Sequence, residues 1–290
     1  MPLQRRATQI SNLQDTLDKT ERQRLFDWLS EIQYVKQHRA KVRLLLPGTC
    51  QWLYEKPVFR EWERASASSI LWLHGIPGSG KSMLTCSFIE RFREMTNLPD
   101  HSPLFAYFYC YWDTQETERA DPEQVLRSIL EQLSSTDMDA PIRQPVVDAY
   151  RQREREARGR RPEKLALEEC TEVILELVEE NPAIIVIDAL DECDPVRRQD
   201  LVLALRRIIS ESASVIKIFI SSRDDEDIVQ WMSMASEVYI RADDNTRDIE
   251  AFINFELERA IREKRILYGK VSESLRAEII QTLNSKANGM

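Results

Sequence analysis

Short apolar runs alternate with longer stretches of helical period along most of this chain. Ile70–His74, Leu104–Cys110, Ala183–Ile187, Ile216–Ile220 and Val238–Arg241 are each bounded by polar or turn residues. Runs this short and this uniformly apolar predict strands buried on both faces. Between them, Pro122–Leu133, Glu163–Glu180 and Pro195–Ile209 repeat apolar residues at three- and four-residue steps, which predicts helices. Strands that alternate with helices imply crossover connections and a mostly parallel sheet. Upstream, Leu25, Trp28, Leu29, Ile32 and Val35 place one amphipathic helix over Thr16–Arg39. Leu46-Pro47-Gly48-Thr49 punctuates the chain, and a short helix is expected over Pro57–Glu63. Helices starting near Thr246 and Ser272 follow the last strand, and Gly289 is placed to cap the second.

Composition narrows the class. The chain has 290 residues, of which 42% are apolar and 31% charged, enough for a large core without disulfides or a structural metal. There are only seven glycines, and three of them lie between Gly75 and Gly80. The net charge of −9 argues against a general nucleic-acid binder. Much of that charge is local: Leu165–Asp194 holds ten carboxylates and no Lys or Arg, whereas Arg151–Lys164 holds seven basic residues against three acidic. Both stretches read as solvated helix faces, with a real anion patch at Arg151–Arg161 as the alternative. The five cysteines (Cys50, Cys86, Cys110, Cys170 and Cys193) form no C-x-x-C pair, so neither a zinc site nor a disulfide framework is indicated and a reduced compartment is expected. No stretch approaches 18 consecutive apolar residues and the start lacks an apolar signal region, so a cytoplasmic protein without a membrane partner is expected.

The clustered glycines belong to Gly75-Ile76-Pro77-Gly78-Ser79-Gly80-Lys81-Ser82, a complete G-x-x-x-x-G-K-[ST] sequence. Its glycines allow positive φ and close approach of main-chain amides to phosphate oxygens. The amides of the loop and of the first helical turn, through Met83, point partial positive charge at an anion. Lys81 supplies a charge for the β- and γ-phosphates, and the Ser82 hydroxyl is suited to Mg²⁺. The loop follows the apolar run Ile70–Leu73 and precedes a predicted helix, Lys81–Met95, with Leu84, Phe88 and Phe92 on one side; this is the setting the motif requires. His74 reads as a packing residue at the strand end.

A second strand, Ala183–Ile187, ends in Asp188, the position for a carboxylate that holds Mg²⁺ opposite Ser82. Asp191 and Glu192 follow three and four residues later and are the candidate bases for an attacking water. Ala189 fills the slot next to Asp188, where vigorous ATPases of this kind often carry glutamate; this displacement points to slow or conditional hydrolysis. A third strand, Ile216–Ile220, ends in Ser221-Ser222-Arg223, and Arg223 is either a γ-phosphate contact or the partner of Asp224 or Asp225. No N/T-K-x-D motif for guanine is present, which favours an adenine nucleotide.

Together, GIPGSGKS, IIVIDALDEC (Ile184–Cys193) and IFISSR (Ile218–Arg223) resemble the NACHT branch of the STAND class of P-loop NTPases. Gly48-Thr49-Cys50-Gln51-Trp52-Leu53, with Pro57-Val58-Phe59 and Trp62, resembles the segment preceding the loop in fungal NACHT proteins and in the nephrocystin-type N-terminal domain. The resemblance covers roughly Pro47–Met290. It implies a P-loop three-layer α/β sandwich with a five-stranded, mostly parallel sheet, flanked by N- and C-terminal helical segments. Its divisions are an N-terminal helical extension (1–46), a linker (47–66), the NTPase core (67–243) and the start of a C-terminal helical subdomain (244–290). It also implies a switch in which ADP holds a closed monomer and ATP with Mg²⁺ permits self-association, with further domains that this chain has no room for. Thr49 and Trp52 are carried over as neighbours of base and ribose, although Trp52, Phe59 and Trp62 read more readily as core aromatics. The alternatives are an AAA-like remodelling ATPase, a phosphotransferase, or a scaffold that nucleotide merely stabilises.

Overall fold

The computed structural model describes residues 19–96, 103–135 and 140–287. Within them α1 covers residues 19–29, followed by α2 (Tyr34–Val42), α3 (Trp52–Glu55) and α4 (Pro57–Arg64). Strand β1 (Ser69–His74) leads into α5 (Lys81–Thr96), β2 (Leu104–Tyr109), α6 (Pro122–Ser134), α7 (Gln144–Ala157) and α8 (Leu167–Leu177). Then come β3 (Ala183–Asp188), α9 (Arg198–Glu211), β4 (Ile216–Ser222), α10 (Glu226–Met232), β5 (Ser236–Tyr239), α11 (Thr246–Arg262) and α12 (Glu273–Ala287). The strand order is β2-β3-β4-β1-β5, the five-stranded α/β sheet that the alternating pattern predicts. β1 runs parallel to β4, from Ser69 opposite Lys217 to His74 opposite Ser222, and parallel to β5, from Leu71 opposite Ser236 to His74 opposite Tyr239.

The chain divides into two compact units. One comprises the residues up to Tyr34, Pro103–Ile185 and Cys193–Ile216. Its core is built from α6 and α8, where Val125, Leu126, Ile129, Leu130, Cys170 and Ile174 are fully buried. Asp121 caps α6 by accepting the Glu123 amide at 3.2 Å, and Arg197 bonds Asp121 and Glu123 at 2.8 Å each. The other unit comprises Val35–Ser102, Val186–Glu192 and Lys217–Met290. Phe88 stacks on Phe219 with ring centroids 4.9 Å apart, and Phe59 and Trp62 pack on the same cluster, so both upstream aromatics are core residues. All five cysteines are buried free thiols.

Several element boundaries depart from the sequence expectation, four of them with a visible physical cause. The single helix over Thr16–Arg39 is two helices, with residues 30–33 non-helical; residues 16–18 lie outside the described chain. The Ser30 hydroxyl accepts the Ile32 amide at 3.1 Å, a local bond that competes with continuing the helix. β5 lies two residues earlier than Val238–Arg241 because its partner β1 ends at His74, where the Ile240 amide makes the last bond to the His74 carbonyl. α8 is shorter than Glu163–Glu180: Ala166 is extended, and the Glu169 carboxylate caps its amide at 2.8 Å. α9 begins at Arg198 rather than Pro195 because Asp194 forms a turn that accepts the Val196 amide. The basic run straddles the end of α7, where Arg158 and Gly159 take positive φ. Its residues are tied to acidic neighbours: Arg153 to Glu156 and Glu169, and Arg161 and Lys164 to Glu31. The proposed Gly289 cap lies outside the described residues.

Candidate functional site

The C-terminal ends of β1, β3 and β4 each deliver one part of the site, as expected where parallel strands meet loops at the carboxyl edge of a sheet. β1 is a buried apolar strand and stops at Gly75, whose φ of +154° starts the phosphate loop. A side chain here would meet Ile240 Cβ and Ser79 Oγ at 3.3 Å, so the position is closed to one on two counts. Gly78 and Gly80 follow with φ of +80° and +90°. The turn closes with the Ser79 amide bonded to the Ile76 carbonyl at 3.2 Å, and α5 starts with the Leu84 amide on the Gly80 carbonyl at 3.0 Å. Ile76 and Pro77 form the exposed outer face of the loop.

Lys81 lies over the loop, with Nζ donating to the Gly75 and Ile76 carbonyls at 2.8 and 2.9 Å. Burial lowers its pKa and Arg223 adds to that effect, while Asp191 opposes it. Ser82 follows in the first turn of α5. The Ser79 hydroxyl is buried without a hydrogen-bond partner among the described residues, and the Asn245 amide group donates to the Ser79 carbonyl at 3.2 Å. A buried orphan hydroxyl beside a glycine cradle fits an anionic oxygen ligand.

Asp188 closes β3 and is 1% exposed. The Ser221 hydroxyl at the end of β4 donates to Asp188 Oδ1 at 2.6 Å and accepts the Ala189 amide at 3.0 Å. Ala189 itself takes φ of +57°, a left-handed turn for a residue with a Cβ. Lys41, on α2, places its ammonium 3.6 Å from Asp188 Oδ2. Ser82 and Asp188 offer hard oxygen donors of the kind Mg²⁺ takes alongside phosphate oxygens.

The two candidate bases and the candidate arginine are brought together. Asp191 accepts the Arg223 amide at 3.0 Å and lies 3.1 Å from its Nε, and Glu192 is 4.0 Å from Nη2. Arg223 therefore pairs with Asp191 rather than with Asp224 or Asp225. Asp224 instead contacts His74 Nδ1 at 2.7 Å, while the His74 ring stacks on Trp72 at 3.7 Å, in keeping with a packing role.

Next to the loop lies a cavity of about 620 Å³ whose walls include Gly78, Ser79, Gly80 and Met83 on one side and Thr49 and Trp52 on another. Leu44, Leu45 and Leu46, with Ile249 and Phe252 of α11, add to its apolar lining. The Thr49 hydroxyl is spent on the Leu46 carbonyl at 2.7 Å. Cys50 takes φ of +67° and donates its amide to Asp248 Oδ2 at 2.8 Å; burial pushes its thiol up to about 12. Burial also raises the Asp248 pKa, against the Cys50 bond. A cavity of this size with an apolar wall and a polar end has the form of a small-molecule site.

Sequence reasoning did not find Lys41, Ser221, Asn245 or Asp248. Ser221 lay inside a motif already singled out, and a serine at a strand end beside a buried carboxylate is a readable signal. Lys41 carried none: its partner is 147 positions away, and nothing in a charged helix marks which lysine turns inward.

The family model for "Nephrocystin 3, N-terminal" matches residues 48–223. The chain is 26% identical over 260 residues to the vegetative incompatibility protein HET-E-1 of Podospora anserina; the match covers 86% of this chain and 18% of that protein. Among solved structures it is similar to Drosophila ORC bound to DNA (TM-score 0.41, 14% identity, 91% of this chain and 59% of that one). It is also similar to the ADP form of the Aeropyrum pernix ORC2 protein (TM-score 0.44, 11% identity, 81% and 67%).

Proposed function

The chain belongs to the nephrocystin-3 N-terminal family, is a P-loop NTPase of the NACHT type, and on that premise we propose that it is an adenine-nucleotide switch with slow ATPase activity. In this reading the loop from Gly75 to Ser82, with the Met83 amide, cradles the β- and γ-phosphates, and Lys81 leaves its two carbonyl partners for phosphate oxygens. Thr49, Trp52, Met83 and the α11 face enclose base and ribose. Ser82 and Asp188 hold Mg²⁺, which when bound neutralises charge on the phosphates. Ser221 keeps the Asp188 carboxylate oriented. The single observation that carries the proposal is the approximately 620 Å³ cavity opening on the loop's own glycines, within one unit of the chain that also holds Lys81, Ser82 and Asp188.

The same geometry supports slow turnover. A base must reach the attacking water, yet Asp191 is held by Arg223 and Ala189 occupies the position beside Asp188. Hydrolysis well below the roughly 1–100 s⁻¹ of kinases is expected. ATP in place of ADP would then change self-association rather than drive continuous work, and domains outside this chain would read the change.

Calorimetry with ADP and ATP, each with and without Mg²⁺, tests the proposal. Saturable binding that disappears in Lys81→Ala is the expected result; no heat with any purine nucleotide overturns it. Light scattering with ADP and then with a non-hydrolysable ATP analogue tests the switch itself, since an unchanged molecular mass leaves only a nucleotide-stabilised scaffold.

A further inference from the structure

A buried carboxylate needs hydrogen bonds or a counter-charge, because leaving it unpaired costs several kcal/mol on the order-of-magnitude scale for desolvated ions. Asp188 has both: Ser221 bonds one oxygen and the Lys41 ammonium stands 3.6 Å from the other. Lys41 is put there by its helix. One turn earlier on α2, His38 is 1% exposed and its Nε2 lies 2.9 Å from Glu90 Oε1 on α5, the helix that the phosphate loop starts. Residues three apart share a helix face, so the contact that pins α2 to α5 also aims Lys41 at Asp188. Burial lowers the His38 pKa, with Glu90 opposing, so His38 anchors as a hydrogen-bonding imidazole. Beyond Lys41 the chain turns: its carbonyl accepts the Leu44 and Leu45 amides at 2.9 and 3.1 Å, and Leu44–Leu46 then form a wall of the cavity.

The geometry points to Lys41 as a resident counter-cation of Asp188 that Mg²⁺ must displace, so that loading the site releases the end of α2 and the cavity wall that follows it. This rests on the nucleotide-binding reading above. The physical reason is that a divalent ion on Asp188 and an ammonium a few ångströms away repel one another in a site of low dielectric. The carboxylate holds one cation or the other. Mg²⁺ affinity is therefore set in part by a residue of the segment upstream of the loop, and the metal is reported to that segment through a single side chain.

The test is ADP calorimetry on the full chain over a Mg²⁺ series, with EDTA as the baseline. Replacing Lys41 by methionine (Lys41→Met) is expected to lower the Mg²⁺ midpoint about three- to tenfold, while Lys41→Arg, which keeps the charge, stays within about twofold of wild type. An unshifted or raised midpoint in Lys41→Met overturns the inference. A readout in the unmodified chain guards against a misfolded variant: amides of residues 41–46 should exchange severalfold faster with ADP and Mg²⁺ than with ADP in EDTA. Equal or slower exchange overturns it as well. Normal ADP binding with either negative result removes this inference alone; no ADP binding in wild type removes the proposed function and this inference with it.

Discussion

Arg223 and Asp191 hold one another at two points: the carboxylate accepts the arginine's own amide at 3.0 Å and lies 3.1 Å from its Nε. Asp191 is 6% exposed and Arg223 half-exposed, so the pair joins the end of β4 to the turn after β3 at the lip of the site. Separate substitutions, Asp191→Asn and Arg223→Gln, should each lower the melting temperature. A double-mutant cycle should return a coupling of about 1 kcal/mol. Additive losses would mean that the pair contributes nothing in solution.

Met83 lines the cavity beside Gly78, Ser79 and Gly80 of the loop. In Met83→Trp the added ring should fill that cavity and lower ADP affinity at least about tenfold, a cost within the roughly 1–3 kcal/mol range of overpacking. Inorganic pyrophosphate, which needs only the loop, should bind as to wild type. Calorimetry with both ligands checks the division, and equal losses for the two would place the nucleoside elsewhere.

Asp248 is the acceptor for the Cys50 amide at 2.8 Å. Asp248→Ala leaves that amide without its partner and should destabilise the chain by about 1–3 kcal/mol in chemical denaturation. Asp248→Asn keeps an oxygen in place and, because burial already disfavours the charged form of Asp248, should cost much less.

Glu131, on α6, has its pKa raised to about 8 by burial first and by Asp27 second. An acid whose folded pKa lies above its unfolded value is protonated in the fold and ionised when unfolded across the interval between them. Stability is then highest below the unfolded value of 4.5 and falls as pH rises through about 8. Glu131→Gln should remove that slope and raise stability at pH 8 relative to the unmodified chain. Urea denaturation between pH 5 and about 8.5 reads both effects, and parallel curves for the two proteins would show the carboxyl to be solvated.

The strands were legible because fully buried parallel strands leave uninterrupted apolar runs, and the loop because its chemistry tolerates few residues. What escaped was settled by partners far along the chain. Ser30 ends a helix by bonding locally, although the apolar spacing of Leu29, Ile32 and Val35 continues straight through it. The start of β5 depends on where β1 stops. In the candidate site, Gly75–Ser82 and Asp188 are readable one by one, but the engagement of Asp191 by Arg223 rather than by solvent is a tertiary fact. Asp248 and Asn245 reach the site from a helix start that, in sequence, looks like any other polar turn.

Ile240 stands 3.3 Å from where a side chain on Gly75 would begin, and five residues later Asn245 grips the carbonyl of Ser79. The stretch between them is thus a splint laid along the back of the phosphate loop, touching it at both its first and its fifth residue. A loop braced in this way cannot change curvature alone. In the switch proposed above, a change of curvature in the loop would therefore also shift the root of α11, which would make that helix a lever for passing the change onward.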